Sequence, residues 1–121
     1  MNKGDYVRDM AGNISKVECI IDYKRTPSIP YLTSKGVIIL TNDIYLDSDI
    51  KYGKCEKVKI YVPEADKYSL IEVGDYVDNL EVVGKSNTMI TLSNGISRYL
   101  DFLNNVSILT KEKIDDNTIK L

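Results

Sequence analysis

The chain of 121 residues contains no histidine and no tryptophan. Without histidine there is no His-based zinc site, no Ser-His-Asp triad and no Cys-His dyad. There are two cysteines, Cys19 and Cys55, far apart and in no CxxC pair. They read as reduced thiols of a reducing compartment rather than as a disulfide framework. Alanine is confined to Ala11 and Ala65, so the best helix former is almost missing and a mainly helical fold is not expected. No apolar run approaches the roughly 20 residues of a membrane span. The longest early one, "CII", is far shorter than the core of a secretory signal. A soluble protein of the cytoplasm is expected.

What is present favours strands. Apolar residues make up 43% and charged residues 28%, so a packed core is expected rather than disorder. The apolar set is rich in Ile and Val. Nine Tyr stand against a single Phe, Phe102. β-Branched residues and Tyr suit pleated, half-buried surfaces. The net charge of −2 points to neither a strong nucleic-acid binder nor an acidic mimic. Residues 1–62 hold ten basic and eight acidic groups and residues 63–121 hold six and ten, a mild asymmetry.

The chain writes Gly-Asp-Tyr-Val twice, in "NKGDYVRDMAGNISKV" (2–17) and "LIEVGDYVDNLEVV" (70–83). Further echoes are "ILTND" (39–43) with "TLSNG" (91–95), and "YLD" at 45–47 and 99–101. The spacing differs, which places extra residues in the first copy, most naturally at 22–36. The expected fold is mainly β: two small SH3/KOW-like barrel units from an imperfect duplication. The first covers 1–62, a connector 63–69, and the second 70–121 with a short C-terminal helix after Thr110.

In such a unit the Gly-Asp-x-Val segment is the first strand. Gly permits the tight entry, Asp ties down the turn, and Val7 and Val77 enter the core. Tyr6 and Tyr76 are expected to face outward or to cover a barrel rim with their hydroxyls in water. In "ISKVECII", Ile14, Val17, Cys19 and Ile21 form the apolar face, with a bulge between Ile14 and Val17. "TPSIP" (26–30) reads as a loop or a poorly paired edge, since two prolines remove ladder donors. "KYGKCEKVKIYVP" (51–63) reads as a strand in which Val58, Ile60 and Val62 alternate. Asp78-Asn79 reads as a tight turn. "LEVVGKSN" pairs with "TMITLSN", and "GISRYLDFL" (95–103) pairs with "NNVSILT" (104–110).

"SLIEVGDYV", "VGKSN…ITLSNG" and "VSILTKEKI" resemble small uncharacterised phage and prophage proteins of Firmicutes. Those carry a "DLIEVGDYVNG.KV" block and an "I.SI.TKEQ" segment. The resemblance covers residues 69–114 and, more loosely, the opening of the chain. Here Asp78-Asn79 replaces the family's Asn-Gly turn. The resemblance implies phage or prophage origin and life inside a bacterial host cell. It carries no catalytic residue.

Gly84-Lys85-Ser86 lacks the upstream Gly and the following helix of a phosphate-binding loop and reads as a hairpin turn. "DSD" (47–49) and Asp115-Asp116 lack the ligand spacing of a calcium loop. Asp5 and Asp75 read as turn caps rather than catalytic acids. No metal, cofactor or catalytic residue is expected, and the chain does not read as an enzyme. The candidate binding residues are Tyr23, Lys24, Arg25, Tyr31 and Lys35, which mix aromatic and basic side chains on the expected inserted loop. Lys51, Lys54, Lys57 and Lys59 could extend that surface. The expected function is a non-enzymatic β module that binds another macromolecule, most readily a protein. The alternative is weak nucleic-acid binding through the basic N-terminal unit. Oligomeric state is left open.

Overall fold

A computed structural model describes residues 2–20, 30–35, 38–40, 55–113 and 119–121. The chain divides into two compact units, Met1–Lys67 and Tyr68–Leu121. The division falls within a 3₁₀ segment, Glu64–Leu70, that departs from helical geometry at Asp66 (φ −107°, ψ 15°). Both units are β, and among the described residues helical structure is limited to short 3₁₀ turns.

The first unit contains β1 (Tyr6–Asp9), β2 (Ile14–Ile20), β3 (Pro30–Thr33), β4 (Ile38–Leu40) and β5 (Cys55–Val62). β1 lies between β2 and β5, antiparallel to both. β2 continues to β3 and β3 to β4, again antiparallel, and β4 runs parallel to β5. The pairing therefore returns to its start. Val7, Val17, Tyr31 and Ile39 form the core inside it, with Val58 packed against them. The β1–β2 connection is held by the buried Asp9. Its Oδ1 accepts the N–H of Ala11 and of Asn13, each at 3.0 Å, and its Oδ2 accepts Asn13 Nδ2 at 2.9 Å. This is Asx-turn chemistry, and Gly12 supplies the positive φ of +89°.

The second unit contains β6 (Tyr76–Val77), β7 (Leu80–Lys85), β8 (Met89–Leu92), β9 (Ser97–Tyr99), β10 (Ser107–Leu109) and β11 (Ile119–Lys120). They make one sheet in the order β11-β10-β6-β7-β8-β9. Val77, Val82, Ile90 and Ile108 of this sheet are fully buried, as is Ile71 ahead of β6. Asp78 and Asn79 both adopt positive φ, 48° and 70°, as the two-residue hairpin turn between β6 and β7 requires.

The two Gly-Asp-Tyr-Val segments make the same local bonds. Gly4 and Gly74 have φ of +94° and +100°. Their N–H groups donate to the carbonyls of Val17 and Val82, both at 2.9 Å. The N–H of Val17 and of Val82 donates back to the carbonyl of Asp5 (2.8 Å) and Asp75 (2.7 Å). Asp5 Oδ2 accepts the Asn2 N–H at 2.9 Å, and Asp75 Oδ2 accepts the Glu72 N–H at 2.7 Å. The register of β2 against β3 shifts between Val17 and Cys19, and that of β7 against β8 between Val82 and Gly84. Ser34 N–H donates to the Lys16 carbonyl as Ser93 N–H does to that of Glu81. This register sets "TSK" (33–35) against "LSN" (92–94), while the expected match of "ILTND" with "TLSNG" falls largely on residues 41–43, outside the described residues.

Other expectations are corrected as well. Residues 22–36 are not wholly an insertion, because Pro30–Thr33 is β3 and pairs on both sides. Pro30 sits at the first position of that strand, where a missing N–H is tolerated. The bulge in β2 lies between Val17 and Cys19 rather than before Val17. It turns Cys19 outward, and the thiol is exposed and free. A register shift opposite Arg8 and Asp9 likewise leaves Val58 packed against the core while Ile60 is exposed. Tyr6 and Tyr76 are half-buried rather than fully outward, as a rim position allows, and the Lys67 ammonium lies 5.5 Å from the centroid of the Tyr6 ring. Residues 95–103 and 104–110 do not pair. A 3₁₀ turn, Leu100–Phe102, follows β9, and β10 runs instead between β6 and β11. The second unit is thus an open six-stranded sheet where a barrel is expected. Where the short C-terminal helix is expected, the described residues form one 3₁₀ turn, Lys111–Lys113, and residues 114–118 lie outside the described residues.

Candidate functional site

Of the sequence-derived binding residues, only Tyr31 and Lys35 lie among the described residues. Tyr23, Lys24 and Arg25 lie outside the described residues, as do Lys51 and Lys54. Tyr31 is not on a loop. It lies in β3 and packs with Val7, Val17 and Ile39, 6% exposed. It is an ordinary position for a strand Tyr whose ring completes a small core. Lys35 is exposed in the β3–β4 turn. Lys57 and Lys59 lie in β5.

The remaining motifs take structural roles. Gly84-Lys85 is in β7, and Ser86 opens the β7–β8 turn. Its N–H donates to the Met89 carbonyl at 2.9 Å, its Oγ accepts the Met89 N–H at 3.2 Å, and Lys85 Nζ donates to the Ser69 carbonyl. The fully buried carboxylate of Asp75 accepts the N–H of Glu72 and, at 3.0 Å, that of Lys111, so it ties the start of β6 to the segment after β10. Lys111 Nζ also meets Glu72 Oε1 at 2.9 Å. "DSD" and Asp115-Asp116 lie outside the described residues. Among the described residues no group of three or more side chains could hold a metal ion, and no helix is long and apolar enough to cross a membrane.

The best candidate surface is one the sequence reading passed over, at the end of the second unit's sheet. "RYLDFL" (98–103) turns from β9 into 3₁₀ at Leu100. A 3₁₀ turn repeats every three residues. Leu100 and Leu103 therefore point inward together, 7% and 5% exposed. Tyr99 and Phe102 point outward together, 52% and 80% exposed. Their rings meet edge to face, 5.7 Å between centroids and 77° between planes. Ile96, at the entry to β9, is 57% exposed. The corner is held by the chain around it. The Leu100 N–H donates to the Thr88 carbonyl at 2.8 Å, and Arg98 pairs with Asp78 Oδ2 at 3.2 Å. Asp78 Oδ1 in turn accepts the Ser107 N–H at 2.9 Å. The signal was present in the sequence: Tyr99, Leu100, Phe102 and Leu103 are too apolar for a segment with one buried face.

Scattered exposed apolar residues are normal, but the chain's one Phe in ring contact with an exposed Tyr on an ordered corner is a concentrated apolar surface. Such surface is chemically inert and suits contact with another molecule. No family model matches this chain, and no curated protein or solved structure matches it.

Proposed function

We propose that the chain is a non-enzymatic module of phage or prophage origin, built from two related SH3/KOW-like β units, that acts by binding a protein of its bacterial host. Support for related units comes from the shared hydrogen-bond frame around Asp5 and Asp75. It comes also from the strand order, in which β1 lies between β2 and β5 as β6 lies between β7 and β10. The phage origin rests on the resemblance of residues 69–114 alone.

The observation that carries protein binding is the exposed Tyr99–Phe102 corner. Aromatic residues on a rigid support are the usual anchors of protein interfaces. The test is capture by the tagged full chain from a Firmicute lysate, washed at about 0.5 M salt, where phosphate-driven binding falls away. A host protein retained through the wash and lost with Phe102→Ser supports the reading. Recovery of nucleic acid that the wash removes, or of nothing, overturns it.

A further inference from the structure

We infer that the outer edge of β9 takes up an extended, uncharged apolar segment of a partner protein as an added strand, an inference that rests on the protein-binding reading above. β9 ends the sheet among the described residues. The Leu92 N–H donates to the Ile96 carbonyl and the Leu100 N–H to that of Thr88, so residues 96 and 100 turn their bonding groups toward β8. The alternation of an antiparallel pair then directs the N–H and C=O of Ser97 and Tyr99 away from β8. Edges of this kind are often blunted by Pro, a bulge, shortness or charged side chains; Ser97–Tyr99 is short but has no Pro or bulge, and its one charge, Arg98, is paired with Asp78.

The side chains define what fits. Gly84 pairs with Thr91, and Thr91 with Ser97, forming a row of small residues on the face that also carries Tyr99. Thr91 Oγ1 and Ser97 Oγ lie 3.0 Å apart and satisfy each other, so the row asks nothing polar of a neighbour. A large apolar side chain opposite Ser97 would continue this row beside the Tyr99 ring, with Phe102 beyond it. On the other face Arg98 is compensated by Asp78 at 3.2 Å, so β9 itself presents no unbalanced charge for an acidic or basic segment to answer. The size of the patch also selects the occupant. Two aromatic side chains of roughly 150–250 Å² each, at 52% and 80% exposure, offer on the order of 250 Å² of aromatic surface. Each partner in a standard interface contributes about 800 Å². The patch suits a short strand, held by main-chain bonds with alternate side chains in contact, better than a second copy of the chain.

The experiment selects a displayed random-peptide library on the full chain. It then measures the enriched peptides against wild type, Phe102→Ser and Ser97→Pro, and the sedimentation of each protein. Ser97→Pro removes an N–H that points away from β8, and Phe102→Ser leaves the backbone untouched. The expected result is a consensus with apolar residues at alternate positions. Its binding should weaken about tenfold or more in Phe102→Ser and vanish in Ser97→Pro. No consensus, a charged consensus, or equal binding by Phe102→Ser overturns the proposal. So does a wild-type dimer that Ser97→Pro dissociates, which would make the occupant a second copy. Host protein captured equally by wild type and both variants overturns the strand-addition inference while leaving protein binding intact. Capture of nothing by wild type overturns protein binding itself.

Discussion

β4 of the first unit and β9 of the second each pair antiparallel with the strand before them, yet among the described residues one is covered on its other side and the other is not. Tyr31 pairs with Ile39 as Ile90 pairs with Arg98. Beyond that point β4 gains a parallel neighbour, the Cys55–Lys57 half of β5, whose other half pairs with β1. β5 spans both because it has eight residues, whereas β10 has three and reaches only β6 and β11. The connections differ to match. A parallel return needs a crossover of about a dozen residues or more. Residues 41–54 supply that length between β4 and β5. Residues 100–106 do not, and the chain there turns tightly through Leu100–Phe102. The same opening motif thus leads to closure or to an open edge according to the length of chain spent late in the unit.

Substitutions at matched positions test that comparison. Ile39 and Ile90 are both fully buried. Truncating either to Ala should cost about 2–5 kcal/mol, read by chemical denaturation. An Ile39→Ala cost well below that of Ile90→Ala would contradict a close-packed first unit.

The paired caps should then separate. Asp75 is fully buried and binds two backbone N–H groups, whereas Asp5 is half-buried and binds that of Asn2. Asp75→Ala should cost about 3 kcal/mol and Asp5→Ala about 1 kcal/mol. Equal losses would mean that the shared frame carries equal weight in both units.

The glycines of the motif should differ less. Both have φ near +100°, which costs an L residue roughly 1–2 kcal/mol. A Cβ on Gly74 would also come within 3.3 Å of Lys111 Cδ, while one on Gly4 meets open space. Gly74→Ala should therefore be the more destabilising, by a few tenths of a kcal/mol as the Lys111 stem gives way, and a reversed order would remove that contact from the account.

The finest test is amide exchange. The Ser97 and Tyr99 amides face away from β8 and should exchange more than about tenfold faster than the Ile90 amide inside the sheet, the difference between a free edge and a core strand. In β4 the parallel neighbour should erase that contrast. Strong protection at Ser97 and Tyr99 would show the edge to be covered.

Much of the frame was legible in the residues. Gly4-Asp5 and Gly74-Asp75 announce a positive φ and a carboxylate cap, and both segments behave so because the bonds are local. Asp78-Asn79 likewise yields its hairpin turn. Legibility failed where partners come from far along the chain. Cys19 belongs to the apolar alternation of its strand and is nevertheless exposed, because the pairing of β2 with β3 inserts a bulge ahead of it. Tyr31 stands among basic residues and prolines, like a loop contact, yet it fills the first core. "GISRYLDFL" alternates well enough to suggest a strand paired with its successor. The i, i+3 division of its side chains shows only once Leu100 and Leu103 have a core to enter.

The residues alone determined the β character, the repeated opening turn and its carboxylate cap, since propensity and turn chemistry act over a few neighbours. Tertiary structure alone decided which unit closes, which tyrosine is buried and where an aromatic pair is left in water. Those outcomes depend on strand register and on the reach of distant connections, and local sequence preference sets neither.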